Sequence, residues 1–225
     1  MQEKIKLSMN IHDNTTNTPL GLIIKNIDPS RQQRHTGFIY IKNQIPTLAH
    51  FGGKDYFRSE TNIQGYAMSW LDFLPERTAN AIITELELIA KNLTFKAPYG
   101  IINEGGTEFH EGVLIKNPNT EGDGLTCAVF IICLLEQFDF PLIDRESWEL
   151  TNEDKRWQEW ILNLLEGRLN PEYMKVQREN VGLVKRFRPE QVVGAGCIFD
   201  FVPVGYTDAC RAAEIVLEQL DVLRC

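Results

Sequence analysis

Several residue types that mark particular protein classes are scarce in this chain of 225 residues. Five cysteines stand at positions 127, 133, 197, 210 and 225, an odd number without a CxxC pair. This spacing favours neither a disulfide framework nor a zinc finger, so reduced thiols are expected. The N-terminal segment lacks the apolar core of a signal peptide, and no apolar run reaches the ~20 residues that span a bilayer. We therefore expect a cytoplasmic protein without a membrane span.

Positive charge is also in short supply. Lysine and arginine number 23 against 31 aspartate and glutamate residues, which leaves a net charge of −8. A chain of this charge gains little from counterion release on a phosphate backbone, so nucleic acid is not an expected partner. Hydrophobic residues make up 43% and charged residues 24% of the chain. These values are typical of globular proteins and exclude a disordered chain or a coiled coil.

The motifs that carry most metal and cofactor chemistry are missing as well. The sequence contains no HExxH, no acidic calcium loop, no P-loop lysine and no GxSxG. We therefore expect no metal and no cofactor. With four histidines and five cysteines in the chain, the candidates for covalent or acid–base chemistry are few.

The hydrophobic pattern predicts an α+β fold, in which an antiparallel sheet packs against helices. Strands are predicted over 20–27, 37–41, 45–51, 55–60, 99–102, 113–115 and 192–204. Helices are predicted over 75–93, 152–166, 171–179 and 208–223, and a further helix is predicted to follow the turn 122–124 and to run to about 138. The stretch 140–151 suggests a division into a sheet-bearing core, 1–145, and a mainly helical part, 146–225, that packs on the same core, and a single domain is the alternative.

Cys127 occupies the most suggestive position among the cysteines. It follows a glycine-containing turn in the run 122–128 (GDGLTCA) and begins an apolar helix. If Asp123 caps that helix, the helix dipole and free backbone N–H groups favour a thiolate and can hold an oxyanion. The carboxylates of Glu121 and Asp123 oppose a thiolate. An inert buried thiol is the alternative interpretation of the same position.

A cysteine nucleophile needs a base within hydrogen-bond reach. His35 opens one strand of a predicted hairpin and His50 closes the other, so the hairpin brings the two rings together at its open end. His110, beside acidic residues, is the rival base, whereas His12 lies in a polar loop. The basic run 185–188 is expected to be a solvated loop, with the binding of a carboxylate as the alternative.

These elements resemble the circularly permuted papain-like cysteine hydrolases, which are related to NlpC-type peptidases and include lecithin–retinol acyltransferase. In that family a His-x-Gly-Ile-Tyr-Val strand precedes a Val-His-Leu strand, and the cysteine follows at the start of a buried helix. Here the corresponding runs are HTGFIYI (35–41), LAH (48–50) and LTCAVF (125–130). The resemblance implies a permuted papain-like core with Cys127 as nucleophile, His35 as base and His50 as the group that orients His35.

The chain differs from the acyltransferases in two respects. Thr126 stands where they have asparagine, and the segment 51–124 is longer. These differences argue against retinol or phospholipid substrates and leave peptidases and amidases as the nearer relatives. The resemblance therefore implies a cysteine hydrolase that cleaves an amide, ester or thioester in a peptide, protein or acyl substrate. A non-catalytic binding protein that retains the fold is the alternative.

Overall fold

The computed structural model describes residues 1–13, 18–116 and 122–223 and has an α+β architecture. The strands are β1 (Leu20–Asp28), β2 (Gln33–Lys42), β3 (Ile45–Gly53), β4 (Tyr56–Glu60), β5 (Ala67–Trp70), β6 (Glu108–His110) and β7 (Val113–Lys116). The helices are α1 (Glu76–Lys91), α2 (Cys127–Gln137), α3 (Asn152–Leu165), α4 (Pro171–Glu179), α5 (Pro189–Ile198) and α6 (Tyr206–Leu223).

Five strands form an antiparallel sheet in the order β4-β3-β2-β1-β5, with β2 in the centre. The predicted hairpin of β2 and β3 is present, and both strands extend beyond their predicted ends. Its register places Phe38 opposite Ala49. Strands β6 and β7 form a separate hairpin. The strand predicted over 99–102 is reduced to isolated bridges from Tyr99 and Ile102 to the segment before α2.

Alternation along the strands gives the large sheet two buried faces. Phe38 of β2 and Phe51 of β3 belong to the main core, where both rings contact Phe130 of the buried helix α2. The opposite face carries a smaller cluster, formed by Ile23, Ile39, Leu48, Tyr66 and Met68. Because α2 is apolar on every side, it lies at the centre of the main core.

The C-terminal helices contribute to the same core cluster, which draws side chains from both 1–145 and 146–225. The strand predicted over 192–204 is wrong, because this segment begins with the helix α5. Pro189 suits the first turn of a helix, and the Gln191 side chain accepts a hydrogen bond from the Arg188 backbone N–H at 3.0 Å. The glycines that suggested a strand serve helix packing instead. A Cβ at Gly194 would lie 2.8 Å from the Cβ of Ala212 in α6.

No helix in the described ranges combines the length and the apolar character of a membrane-crossing segment.

Candidate active site

Cys127 is the first residue of α2, at the point where the sheet and the helix meet. The prediction that Asp123 caps this helix is wrong, because the cap is Thr126, whose Oγ1 accepts a hydrogen bond from the Val129 N–H at 3.3 Å. The Cys127 side chain is half-buried. Its sulfur accepts hydrogen bonds from the backbone of Thr36, Ala128 and Cys127 itself. The contact with Thr36 brings the nucleophile candidate to the strand that carries His35.

The sulfur of Cys127 is a thiol in the resting protein. Burial raises the pKa of Cys127, and the backbone hydrogen bonds and the positive charge of Arg186 offset only part of that effect. The helix N-terminus favours a thiolate at this position, and the loss of hydration on burial acts in the opposite direction and has the larger effect on the pKa of Cys127. Of the two carboxylates predicted to oppose a thiolate, Glu121 lies outside the described residues.

His35 and His50 lie side by side at the open end of the hairpin, as their positions in the strands predict. The Nε2 atom of His35 is 2.7 Å from the Nδ1 atom of His50, and the ring planes meet at 79°. Gly37 makes room for this pair, because a Cβ at position 37 would lie 2.7 Å from the Cβ of His50. The glycine of the HTGFIYI run is thus a steric requirement of the histidine pair.

A carboxylate extends the pair and determines which ring nitrogens carry protons. The Nε2 atom of His50 is 3.3 Å from Oε1 of Glu60 on β4. An ionised carboxylate only accepts, so neutral His50 donates from Nε2 and accepts at Nδ1. His35 must then donate its Nε2 proton to His50. This leaves Nδ1 of His35 as an unprotonated acceptor, the form that a general base requires.

Both rings are neutral at pH 7. Burial, followed by the charges of His50 and Lys25, lowers the pKa of His35 to about 3. Burial also lowers the pKa of His50, and the hydrogen bond to Glu60 opposes that shift. The resting site therefore combines a neutral thiol with a neutral imidazole, and a proton can pass between them during a reaction.

Cys127 and His35 line one cavity of about 140 Å³. The other lining residues are Ile27, Gln33, Arg34, Gly52, Tyr99, Thr126, Ala128, Trp157, Arg186, Phe187 and Pro189. No hydrogen bond among the described residues joins the Cys127 sulfur to an imidazole nitrogen. The cavity brings nucleophile and base to one wall, and proton transfer between them requires a closer approach than this resting arrangement shows.

The remaining histidines and cysteines lie elsewhere. His110 is exposed on β6, and His12 is exposed in the turn 11–13. Cys133 is buried in α2, where its sulfur contacts Asn103 and Arg145. Cys197 donates a hydrogen bond to Ser69, and Cys210 accepts one from Gln191. Cys225 lies outside the described residues. None of these side chains lines the cavity that holds Cys127.

Arg186 was missed as a site residue, because the prediction of a solvated loop for 185–188 is wrong. Its side chain is buried, pairs with Asp154 at 3.3 Å and stacks on Trp157, with 3.9 Å from guanidinium carbon to ring centre. Asp154 and Trp157 are three residues apart on α3, hence on one face of that helix. The sequence signal for this burial was Asp154, a carboxylate on the apolar face of an amphipathic helix. A buried carboxylate at such a position predicts a buried cationic partner.

Comparison with known proteins adds no relative to this picture. No protein-family model matches the chain, and neither the curated proteins nor the solved structures give a significant match. Within the described ranges, no group of three or more His, Cys, Asp and Glu side chains is placed to hold a metal ion.

The contact between Gly37 and His50 can be tested by Gly37→Ala. We expect the added methyl to push β3 away and separate the histidine rings, with a loss of about 1–3 kcal/mol in the free energy of unfolding. Gly53→Ala on the same hairpin is the matched control, because the nearest atom to its new Cβ is 3.9 Å away. Urea unfolding and iodoacetamide labelling of Cys127 measure both effects. Equal behaviour of the two variants would contradict the steric argument.

Proposed function

We propose that this protein is a cysteine-dependent hydrolase that cleaves an amide, ester or thioester bond through an acyl-enzyme. The observation that carries the proposal is the cavity that Cys127 and His35 share. Cys127 begins a buried helix, and His35 contacts His50, which in turn contacts Glu60. A nucleophile, a base and groups that orient the base are the parts that such chemistry needs.

In the proposed reaction, Nδ1 of His35 takes the thiol proton while the Cys127 sulfur attacks the substrate carbonyl carbon. The carbonyl π electrons move to oxygen, and backbone N–H groups at the start of α2 stabilise this oxyanion. Collapse of the intermediate breaks the bond to the leaving group, which takes the proton from His35. Water, activated by His35, then hydrolyses the thioester and regenerates the thiol.

We further propose that the core is a permuted papain-like fold. The order of elements supports this assignment, because the antiparallel strands bearing His35 and His50 precede the buried helix that begins with Cys127. Four free cysteines among the described residues fit a reducing compartment, and we infer a cytoplasmic protein with a peptide, protein or acyl substrate.

A catalytically silent binding protein is the second candidate, and one observation favours it. The pKa of the Cys127 thiol is raised rather than lowered, and no hydrogen bond in the described ranges ties its sulfur to a histidine. Such a protein would use the cavity to hold a ligand without cleaving it.

A substrate panel separates the two candidates. Peptides, isopeptides, cell-wall fragments, acyl esters and thioesters are incubated with the wild-type protein and with Cys127→Ser, and products are identified by mass spectrometry. The hydrolase predicts products and a covalent acyl adduct on Cys127 with at least one class. Binding of a panel member without turnover or adduct would support the silent alternative.

His50 and Glu60 should act as positioning residues for His35. We expect His50→Ala to lower kcat/KM by about 10–100-fold, as loss of an orienting group does. Because His50 helps to lower the pKa of His35, its removal should also move the acid limb of the pH profile to higher pH, towards the ordinary histidine pKa.

His50→Gln should restore part of the rate, since the glutamine amide oxygen can accept the Nε2–H of His35. Glu60→Gln should lose less than His50→Ala. A proportional loss at every pH, without rescue, would indicate a structural role instead.

A further inference from the structure

The charged side chains that line the cavity around Cys127 are of one sign. Arg34, Arg186 and the neutral His35 line it, and no aspartate or glutamate of the described residues does. This concentration of positive charge stands out in a chain whose net charge is −8. A cavity of this kind attracts an anionic group to the side of the nucleophile.

Arg186 is held rigidly with part of its hydrogen-bonding capacity unused. Asp154 accepts from Nη1, and Trp157 supports the guanidinium plane. The backbone of the same loop is fixed by Trp148, whose Nε1 donates to the Arg186 carbonyl at 3.0 Å. Among the described residues, Asp154 is the one hydrogen-bond partner of this guanidinium, although a guanidinium carries five N–H donors. The guanidinium of Arg186 is therefore pre-organised to bind a planar anion such as a carboxylate.

The neighbouring carboxylates are each paired with an arginine, and Oε2 of Glu190 is buried without a hydrogen-bond partner among the described residues. Asp154 also accepts hydrogen bonds from Arg188 Nε at 2.9 Å and from the hydroxyl of Thr151 at 2.6 Å. Glu190 pairs with Nη1 of Arg34 at 2.9 Å, while the buried Nε of Arg34 has no partner. These ion pairs hold the guanidinium groups of Arg34 and Arg186 in place. Some of the N–H donors of both groups have no hydrogen-bond partner among the described residues.

A second cavity continues the basic surface beyond Arg186. It measures about 290 Å³, and Arg186 and Trp157 line both cavities. Arg31, Arg156 and Trp160 line the second cavity, and Glu153, paired with Arg188, is its acidic residue. The guanidinium of Arg31 stacks on Trp160 at 5.3 Å.

We propose that Arg186 forms a carboxylate subsite beside Cys127, so that the preferred substrate carries a carboxylate next to the bond that is attacked. This proposal rests on the proposed function and specifies its substrate class. The carboxylate is either the free C-terminus of a peptide or an acidic side chain. Cleavage of a peptide with a free terminal carboxylate, of its C-terminal amide and of an amide-capped acidic peptide distinguishes these two sources.

Two alkylating reagents test the subsite without a known substrate. Iodoacetate and iodoacetamide both form a C–S bond as the C–I bond breaks and iodide leaves, but iodoacetate carries a carboxylate. The ratio of their rates at Cys127, read by peptide mass spectrometry, cancels the intrinsic reactivity of the thiol. We expect Arg186→Gln to lower the iodoacetate-to-iodoacetamide ratio by about tenfold. Arg186→Lys should have an intermediate ratio, and the exposed Arg211→Gln should match the wild type.

The outcomes distinguish the subsite from the proposed function. If Cys127 is labelled rapidly and the iodoacetate-to-iodoacetamide ratio is unchanged in Arg186→Gln, the carboxylate-subsite proposal is wrong. The proposal of a cysteine hydrolase is not affected by that result. Slow labelling by both reagents with the predicted change in ratio keeps the subsite and counts against the hydrolase. If Arg186→Gln does not fold, succinate tests the wild type, because it should slow iodoacetamide labelling of Cys127 while succinamide and equivalent sodium chloride should not. Equal labelling rates with all three additives would overturn the proposal.

Discussion

Cys127→Ala should abolish hydrolysis, with a loss of about 10⁴-fold or more in kcat/KM on any substrate that the wild-type protein cleaves. The expected loss is large because no acyl-enzyme can form without the sulfur. Its free energy of unfolding should change by about 1 kcal/mol or less, since the half-buried thiol leaves little empty volume. Turnover kinetics and urea unfolding of the same preparation measure both quantities.

Cys210→Ala is the matched control for this experiment. Cys210 is a half-buried thiol in α6 and does not line the cavity of Cys127. The control should retain full activity. Full activity in Cys127→Ala would end the proposal of a cysteine nucleophile, whatever the other variants show.

His35→Ala should have the second largest effect, a loss of about 10²–10⁴-fold in kcat/KM, which is the usual contribution of a general base. Without the ring, the thiol must lose its proton to solvent, and burial already raises its pKa. Activity should therefore recover as the pH rises, because thiolate then forms without a base. The measurement is kcat/KM against pH in wild type and variant.

His110→Ala controls for the loss of a histidine as such. His110 is exposed on β6, away from the cavity, and its removal should leave the pH profile unchanged. If His110→Ala were as inactive as His35→Ala, the base would be assigned to the wrong strand.

Local patterns predicted the hairpin and most helices well, because each has a strong periodic signal. The strands around His35 and His50 alternate clearly, and α1 has a regular apolar face. The strand prediction for 192–204 was wrong because the apolar residues and glycines of this segment fit a strand as well as a buried helix. Its helical state depends on a tertiary contact, the approach of Gly194 to Ala212. Strand β5 was missed because four residues give too short a pattern.

The candidate site shows the same division between local and distant information. The hairpin register predicts that His35 and His50 are neighbours, and this contact is present at 2.7 Å. Arg186 could not be assigned in the same way, since its burial depends on Asp154 and Trp157, about thirty residues earlier in the chain. The pKa of Cys127 depends on both kinds of information, because a helix N-terminus can be read from the sequence, whereas the desolvation that raises this pKa depends on tertiary packing.

The most direct test of the central claim is the rate of iodoacetamide alkylation at Cys127 between pH 4.5 and 9.5, in wild type and in His35→Ala. In the wild type, neutral His35 can take the thiol proton while the sulfur attacks the reagent. We therefore expect the wild-type rate to exceed that of His35→Ala below the thiol pKa and to depend less steeply on pH. In His35→Ala, the rate should fall about tenfold per pH unit below the thiol pKa, which is raised from 9.0. Identical profiles that both rise only with the thiol pKa would show that His35 does not activate Cys127, and would contradict the account.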